Sequence, residues 1–198
     1  MFGLVLSLLA LVLLYAARDV AVAFFNPFHA HEHCIQVLGS AFHFYANDHE
    51  GKYPYHTNGF GDALLLLVKE DQLPGPDWIT APGDDGKMFK ECLEKGLDVP
   101  EEKCTRIYIQ GLSESNANDN VVMVFDKYPT RGGDHFPRPW GRPSRDVVMS
   151  DASGESVLEE RWPAFANEQI ERLVKIGFKR TELEKLFGLQ PKAAVEKQ

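Results

Sequence analysis

The spacing of apolar residues changes along the chain, and each spacing predicts a different element. Residues 4–17 and 20–25 are almost continuously apolar, as in a helix that enters a bilayer, since about 20 apolar residues span its hydrocarbon core. Residues 31–46 instead carry apolar side chains at three- and four-residue steps, namely Ile35, Leu38, Phe42 and Tyr45. That spacing predicts an amphipathic helix that follows the apolar one after a brief kink at Asn26-Pro27.

The central part of the chain predicts two short helices followed by strands. The helices fall at residues 62–70, with Asp62 as N-cap, and at residues 88–95. Short runs rich in β-branched residues predict strands at 106–110, 121–125, 147–150 and 155–159. The last two are joined by residues 151–154, which predict a hairpin turn.

A long loop and a helical tail complete the pattern. Residues 126–146 are rich in proline and glycine and predict a functional loop or a packing flap. Asn167 predicts the cap of a helix ending at Gly177, and Thr181 with Glu184 predicts a capping box for a second helix ending near Gly188.

These elements predict an α+β fold. A long N-terminal helix, with a membrane part and an amphipathic part, packs on a small antiparallel sheet that is followed by a short helical tail. The expected units are a transmembrane anchor at 1–28, an α+β domain at 29–162 and the tail at 163–198.

The apolar N-terminus admits three interpretations. A retained membrane anchor fits its length, with Arg18 able to reach the headgroups. A cleaved signal peptide would explain Ala21-Val22-Ala23, which has the small-residue form of a cleavage site, but no basic leader precedes the apolar core. The third interpretation is a buried helix of a soluble protein. Either of the first two places residues 29–198 outside the cytoplasm.

Composition narrows the class of partner. The chain has 198 residues, of which 44% are hydrophobic and 25% charged, as expected for one globular domain. Its net charge of −8 argues against nucleic acid, which requires a basic surface. Basic residues outnumber acidic ones only after residue 162, so the tail is a separate, mildly basic unit.

The three cysteines cannot form a closed disulfide framework because their number is odd. Cys92 and Cys104 are close enough in sequence to pair outside the cytoplasm. Two free thiols are the alternative.

One stretch of the chain resembles a known family. The matching positions are Cys34, Leu38, Gly39, Ala41, Tyr45, Ala46, Asp48, Gly51, Tyr53 and Pro54. This pattern is similar to the segment that follows the membrane helix in pseudopilin-like proteins of type II secretion. A looser match comprises Asp126, Gly132, Gly133, His135, Asp146, Asp151 and Gly154.

The resemblance implies a non-enzymatic, single-pass protein of the inner membrane with an extracytoplasmic domain. Its implied partners are the membrane, other pilin-like subunits and the secretion machinery. The family's processing site has Phe after the cleaved Gly, whereas Gly3 is followed by Leu4, and the first helix lacks the family's Glu. This departure favours an alternative, a non-polymerising extracytoplasmic module that binds a ligand or calcium.

Four acidic residues of the loop region form the candidate metal site: Asp126, Asp134, Asp146 and Asp151. Carboxylate oxygens suit calcium, and some major pseudopilins of type II secretion hold calcium in their C-terminal loops. The competing interpretation is a solvated acidic loop tied by Arg131, Arg138, Arg142 and Arg145.

Other chemistry is weaker. His29, His31 and His33 alternate as a metal set could, but a solvated cluster next to the membrane explains them as well. His43 and His49 are expected on a helix surface. Trp140 is either an exposed recognition aromatic or a cover over the sheet, and the second is favoured. No Gly-x-Ser-x-Gly motif of a hydrolase occurs, and Cys34 is a remote candidate for a thiol nucleophile.

Overall fold

The computed structural model describes residues 35–82, 84–131 and 142–189, with the Arg131 side chain excepted. It contains five α-helices in the described residues: α1 (Ile35–Asp48), α2 (Phe60–Lys69), α3 (Lys87–Lys95), α4 (Trp162–Lys175) and α5 (Arg180–Leu186). The strands are β1 (Arg106–Tyr108), β2 (Val122–Asp126), β3 (Thr130–Arg131), β4 (Pro143–Met149) and β5 (Gly154–Leu158). The predicted α+β class and the antiparallel sheet are confirmed.

The sheet is built around β4. On one side of β4 lie β2 and the two-residue β3, and on the other side lies β5. β1 pairs with β2. Every pairing is antiparallel. The predicted turn at 151–154 joins β4 to β5, and its residue Ala152 has a left-handed φ of 66°. The hairpin prediction is therefore confirmed.

Helix α1 covers one face of the sheet. Its predicted stripe of Ile35, Leu38, Phe42 and Tyr45 is buried, as the helical spacing requires. Phe42 contacts Tyr108 of β1, with ring centroids 4.9 Å apart. The amphipathic part of the predicted N-terminal helix is thus confirmed, whereas the anchor at residues 1–28 lies outside the described residues.

Gly39 brings α1 unusually close to the β4–β5 hairpin. A Cβ atom added there would lie 2.8 Å from the Ala152 carbonyl oxygen and 3.1 Å from Val148 Cγ1. Backbone cannot yield as a flexible side chain can, so only glycine permits this approach.

Helices α4 and α5 cover the opposite face. Phe125 of β2 stacks on Phe187 at 4.6 Å between centroids and lies 5.3 Å from the Trp162 ring. The Gln169 side chain accepts a hydrogen bond of 2.9 Å from the Val122 backbone N–H. Ile170 and other α4 residues belong to the same hydrophobic core as α1. The tail helices therefore share one core with the sheet instead of forming a core of their own.

Three predicted helix starts are wrong. Helix α2 begins at Phe60, and Asp62 lies in its first turn, where its carboxylate accepts from the Val99 N–H. Helix α4 begins at Trp162, so Asn167 lies inside it. Helix α5 is preceded by Lys179 without a side-chain cap, so the capping box of Thr181 does not form. Buried apolar residues set these boundaries, and packing outweighs the capping signal.

The predicted loop at 126–146 is shorter than expected. Its first residue ends β2, its last residue lies within β4, and β3 adds a further pairing to β4. Among the described residues, no helix is long and apolar enough to span a bilayer.

Candidate functional site

A buried ion pair joins two strands on the α1 side of the sheet. Arg106 of β1 and Asp126 of β2 are direct cross-strand partners, and Arg106 Nε donates to Asp126 Oδ1 at 3.1 Å. Their side chains are 1% and 0% exposed. Alternate residues of a strand share a face, so the parity that buries Tyr108 also buries Arg106. Arg106 is the first residue of β1, and Asp126 is the last residue of β2.

Asp146 of β4 extends this pair into a network. Its backbone N–H donates to Asp126 Oδ2 at 3.3 Å, and its own carboxylate accepts from the Ser156 hydroxyl of β5. Arg106 Nη1 also donates to the Trp78 carbonyl at 3.2 Å. The network therefore links four strands and the segment before α3 through charge-assisted hydrogen bonds.

The structure brings together only part of the predicted calcium site. Asp126 and Asp146 lie side by side, but Asp126 is already engaged by Arg106. Asp151 lies in the hairpin turn beyond the end of β4, where it accepts from the backbone and hydroxyl of Ser153. The hydrogen bond from the Ser153 hydroxyl, and to a smaller extent the one from its backbone N–H, lower the Asp151 pKa. Asp134 lies outside the described residues, within which no group of three or more potential metal ligands is found.

The arginines expected to tie the loop have other partners where they are described. Arg145 forms a two-pronged pair with Glu159, at 2.9 and 3.0 Å, and its guanidinium lies 4.6 Å from the Trp162 ring centroid. Arg142 pairs with Glu160 on the surface. Both arginines therefore link β4, or the residue before it, to residues 159–160, which precede α4.

A second polar cluster lies where α1 meets the hairpin. The Tyr53 hydroxyl donates to the buried Ser150 carbonyl at 3.0 Å and lies 3.3 Å from His43 Nε2. His43 Nδ1 lies 3.4 Å from a Glu114 carboxylate oxygen. Burial, and then the charges of Glu114 and Asp151, raise the Tyr53 pKa to about 12. The phenol therefore stays protonated and serves as a hydrogen-bond donor.

Replacing Tyr53 by phenylalanine is expected to lower the free energy of unfolding by about 1–2 kcal/mol near neutral pH, because the Ser150 carbonyl loses its donor. Because the Tyr53 pKa is higher in the folded state than in the unfolded chain, its contribution to the free energy of unfolding is complete below pH 10 and is lost as the pH rises toward 12. Urea unfolding between these pH values should therefore show that the free energy of unfolding falls less steeply with pH in the variant than in the natural chain. Buried Tyr108 keeps part of the decline in both proteins. Equal slopes would contradict the assignment.

Cys92 and Cys104 are free thiols in the structure. This is the alternative interpretation, and the predicted disulfide between them is not formed. Cys92 Sγ donates to the Asp98 carbonyl at 3.6 Å, and Cys104 Sγ to the Pro100 carbonyl at 3.8 Å. Burial raises the pKa of both, that of Cys104 to about 12. Such thiols are protonated and poorly reactive at neutral pH.

We expect Cys92 and Cys104 to react with a thiol reagent only after the protein unfolds. Peptide mapping by mass spectrometry, with labelling before and after urea, measures this at each cysteine. Recovery of a Cys92–Cys104 cross-linked peptide from the native protein would show instead that the predicted disulfide forms.

The positions that carry the family resemblance are mainly packing positions. Leu38, Gly39, Ala41 and Tyr45 are buried in α1.

The matching positions after α1 shape the chain where the helix ends. Gly51 ends that helix with a φ of 77°, and its N–H donates to the Ala46 carbonyl at 2.8 Å. The Pro54 carbonyl accepts from the buried Tyr108 hydroxyl at 2.7 Å. Exposed Asp48 differs, since it contacts Gln72 at 3.4 Å.

Several candidate residues lie outside the described residues: His29, His31, His33, Cys34, Asp134, His135 and Trp140. His49 is on the surface as expected, stacked on Tyr45 at 3.9 Å and 2.6 Å from Glu70. Arg106 was missed by sequence reasoning. Alternation with Tyr108 is a weak signal for it, because all three residues of β1 are buried and neither face of the strand is open to solvent.

Comparison of the chain with protein-family models, curated proteins and solved structures yields no match.

Proposed function

We propose that this chain is a membrane-tethered, pilin-like protein whose extracytoplasmic α+β domain acts by contact with other proteins and not by catalysis. The observation that carries the proposal is the close packing of α1 on the β4–β5 hairpin through Gly39. A helix so seated fixes the point at which the chain leaves the domain toward its N-terminal part. That part contains the almost continuously apolar residues 4–17.

The polar clusters support a structural role. Arg106, Asp126 and Asp146 use their charges on one another in the core. Tyr53 is held protonated and engaged with a backbone carbonyl. These groups stabilise the sheet and its contact with α1, as a domain that works through its surface requires.

Membrane fractionation of the full chain, expressed with and without a prepilin peptidase, tests the proposal when combined with mass measurement of the N-terminus. The chain is expected in the membrane fraction. A start at Leu4 only with the peptidase, lost in a Gly3→Leu variant, would support pilin processing, and an uncut membrane-bound chain would support a plain tether. A soluble chain that starts at Phe24 would contradict the tether.

The second candidate is a non-polymerising module that binds calcium. It is favoured by the adjacency of Asp126 and Asp146 and by the absence of Glu from residues 4–17. Thermal melting with millimolar calcium decides this point: a rise in Tm that is lost in Asp146→Asn but kept in Asp71→Asn, a surface control, would favour calcium. The first candidate expects the same Tm with and without calcium.

A further inference from the structure

Strand β5 is an edge strand in the described part of the chain, since its one partner there is β4. The hydrogen bond from the Met149 N–H to the Ser153 carbonyl fixes which residues bond across the hairpin. Bonded and non-bonded pairs alternate in an antiparallel ladder. Glu155 and Val157 therefore bond to β4, and the Ser156 N–H and carbonyl point away from the sheet.

A groove of about 370 Å³ runs beside this open edge, between β5 and the first half of α4. Its apolar lining comes from Val157 and Leu158 of the strand and from Ala164 and Phe165 of the helix. An open strand edge beside a helix is the arrangement in which domains bind extended peptides by strand addition. The backbone supplies the hydrogen bonds, and the groove accepts alternate side chains.

The charges at the rim define the chemistry of the occupant. Three charged residues line the groove: Glu155 at the start of β5, Arg161 just beyond its end, and Glu168 of α4. Glu168 pairs with Arg172 at 2.7 Å, whereas Glu155 and Arg161 are exposed and have no ion-pair partner among the described residues. An antiparallel peptide would place its N-terminal part near Arg161 and its C-terminal part near Glu155.

We propose that the groove between β5 and α4 binds an extended peptide that adds antiparallel to β5. The peptide carries an acidic residue near its N-terminal end, apolar side chains at alternate positions, and a basic residue near its C-terminal end. Its backbone pairs with Ser156, and its apolar side chains cover Val157 and Phe165. This inference rests on the described fold alone and is independent of the membrane tether.

The probe is a synthetic heptapeptide, glutamate-valine-threonine-valine-threonine-valine-lysine with blocked ends. Titration into the full chain in detergent micelles measures affinity, and hydrogen–deuterium exchange measures protection of the Ser156 amide. We expect saturable binding with slower exchange in β5. A peptide N-methylated at its central residues should bind about tenfold or more weakly, which corresponds to the loss of about 1.4 kcal/mol.

A matched pair of variants separates groove binding from general charge effects. Ala164→Arg fills the groove from an exposed helix position, whereas Asn167→Arg adds the same charge to α4 outside the groove lining. We expect binding to fall about tenfold or more in the first variant and to stay unchanged in the second. Equal binding in both variants, or no saturable binding to the natural chain, would overturn the proposal. So would a dimer of the chain that protects Ser156 and excludes the peptide.

Discussion

Replacing Arg106 by methionine is expected to lower the free energy of unfolding by about 3–5 kcal/mol, because the change leaves the fully buried Asp126 carboxylate without its guanidinium partner. The Asp146 backbone N–H, which donates to Asp126 Oδ2 at 3.3 Å, would remain but carries no charge to balance the carboxylate. Methionine has a similar length to the arginine stem, so lost packing contributes little. Urea unfolding followed by circular dichroism measures the loss.

Two further variants establish the cause. Arg142→Met breaks an exposed pair with Glu160 and is expected to cost less than about 1 kcal/mol. The double variant Arg106→Met with Asp126→Asn removes the buried charge, while the new amide oxygen still accepts from the Asp146 N–H, so it should be more stable than Arg106→Met alone. A double variant no more stable than that single one would show that Arg106 acts through packing.

Replacing Gly39 by alanine is expected to lower the free energy of unfolding by about 1–3 kcal/mol, since the added Cβ would meet the Ala152 carbonyl oxygen at 2.8 Å. The sign is informative. In an ordinary helix interior, glycine to alanine stabilises by about 0.5–1 kcal/mol because it reduces the entropy of the unfolded chain. A destabilised variant therefore reports the contact between α1 and the hairpin.

Ser40→Ala is the matched control for this change. Ser40 is the next residue of α1, is exposed, and donates to the Gln36 carbonyl of its own helix. The variant should be neutral or slightly stabilised, since alanine has the higher helix propensity. If Gly39→Ala were stabilised to the same extent, α1 would not be held against the hairpin as described.

The spacing of apolar and β-branched residues was the most reliable guide to the secondary structure. The stripe from Ile35 to Tyr45 identified the buried face of α1, because a helical period leaves few other ways to bury those side chains. The β-branched runs located β1, β2, β4 and β5 within a few residues. The strand order was not available from the sequence, because pairing depends on contacts between distant segments.

Local capping signals were less reliable than apolar spacing. Asn167 and Thr181 have the residue types of helix N-caps, yet both lie inside helices. Trp162 and Leu183 are buried, and this packing determines where α4 and α5 lie. The Asn167 side chain instead bonds within its helix, to the Pro163 carbonyl at 2.6 Å. A cap contributes about 1 kcal/mol, whereas a buried aromatic side chain contributes more.

In the candidate site, the sequence identified some of the residues but not their partners. Asp126 and Asp146 were singled out as chemically notable, and they do meet. Their partner Arg106 was not identified, since nothing in the sequence indicates which strands become neighbours. Asp151 was predicted to join them, but it lies in the turn beyond the end of β4 and accepts hydrogen bonds from Ser153 instead.

Topology in the membrane tests the account most directly. Glu94 is exposed on α3, so a Glu94→Cys variant of the full chain can be labelled by a membrane-impermeant maleimide in spheroplasts. The natural chain, which carries Cys34 together with the buried Cys92 and Cys104, gives the background to be subtracted. We expect a membrane-bound chain that is labelled equally before and after lysis. Labelling only after lysis, or a chain recovered in the soluble fraction, would contradict a tethered extracytoplasmic domain.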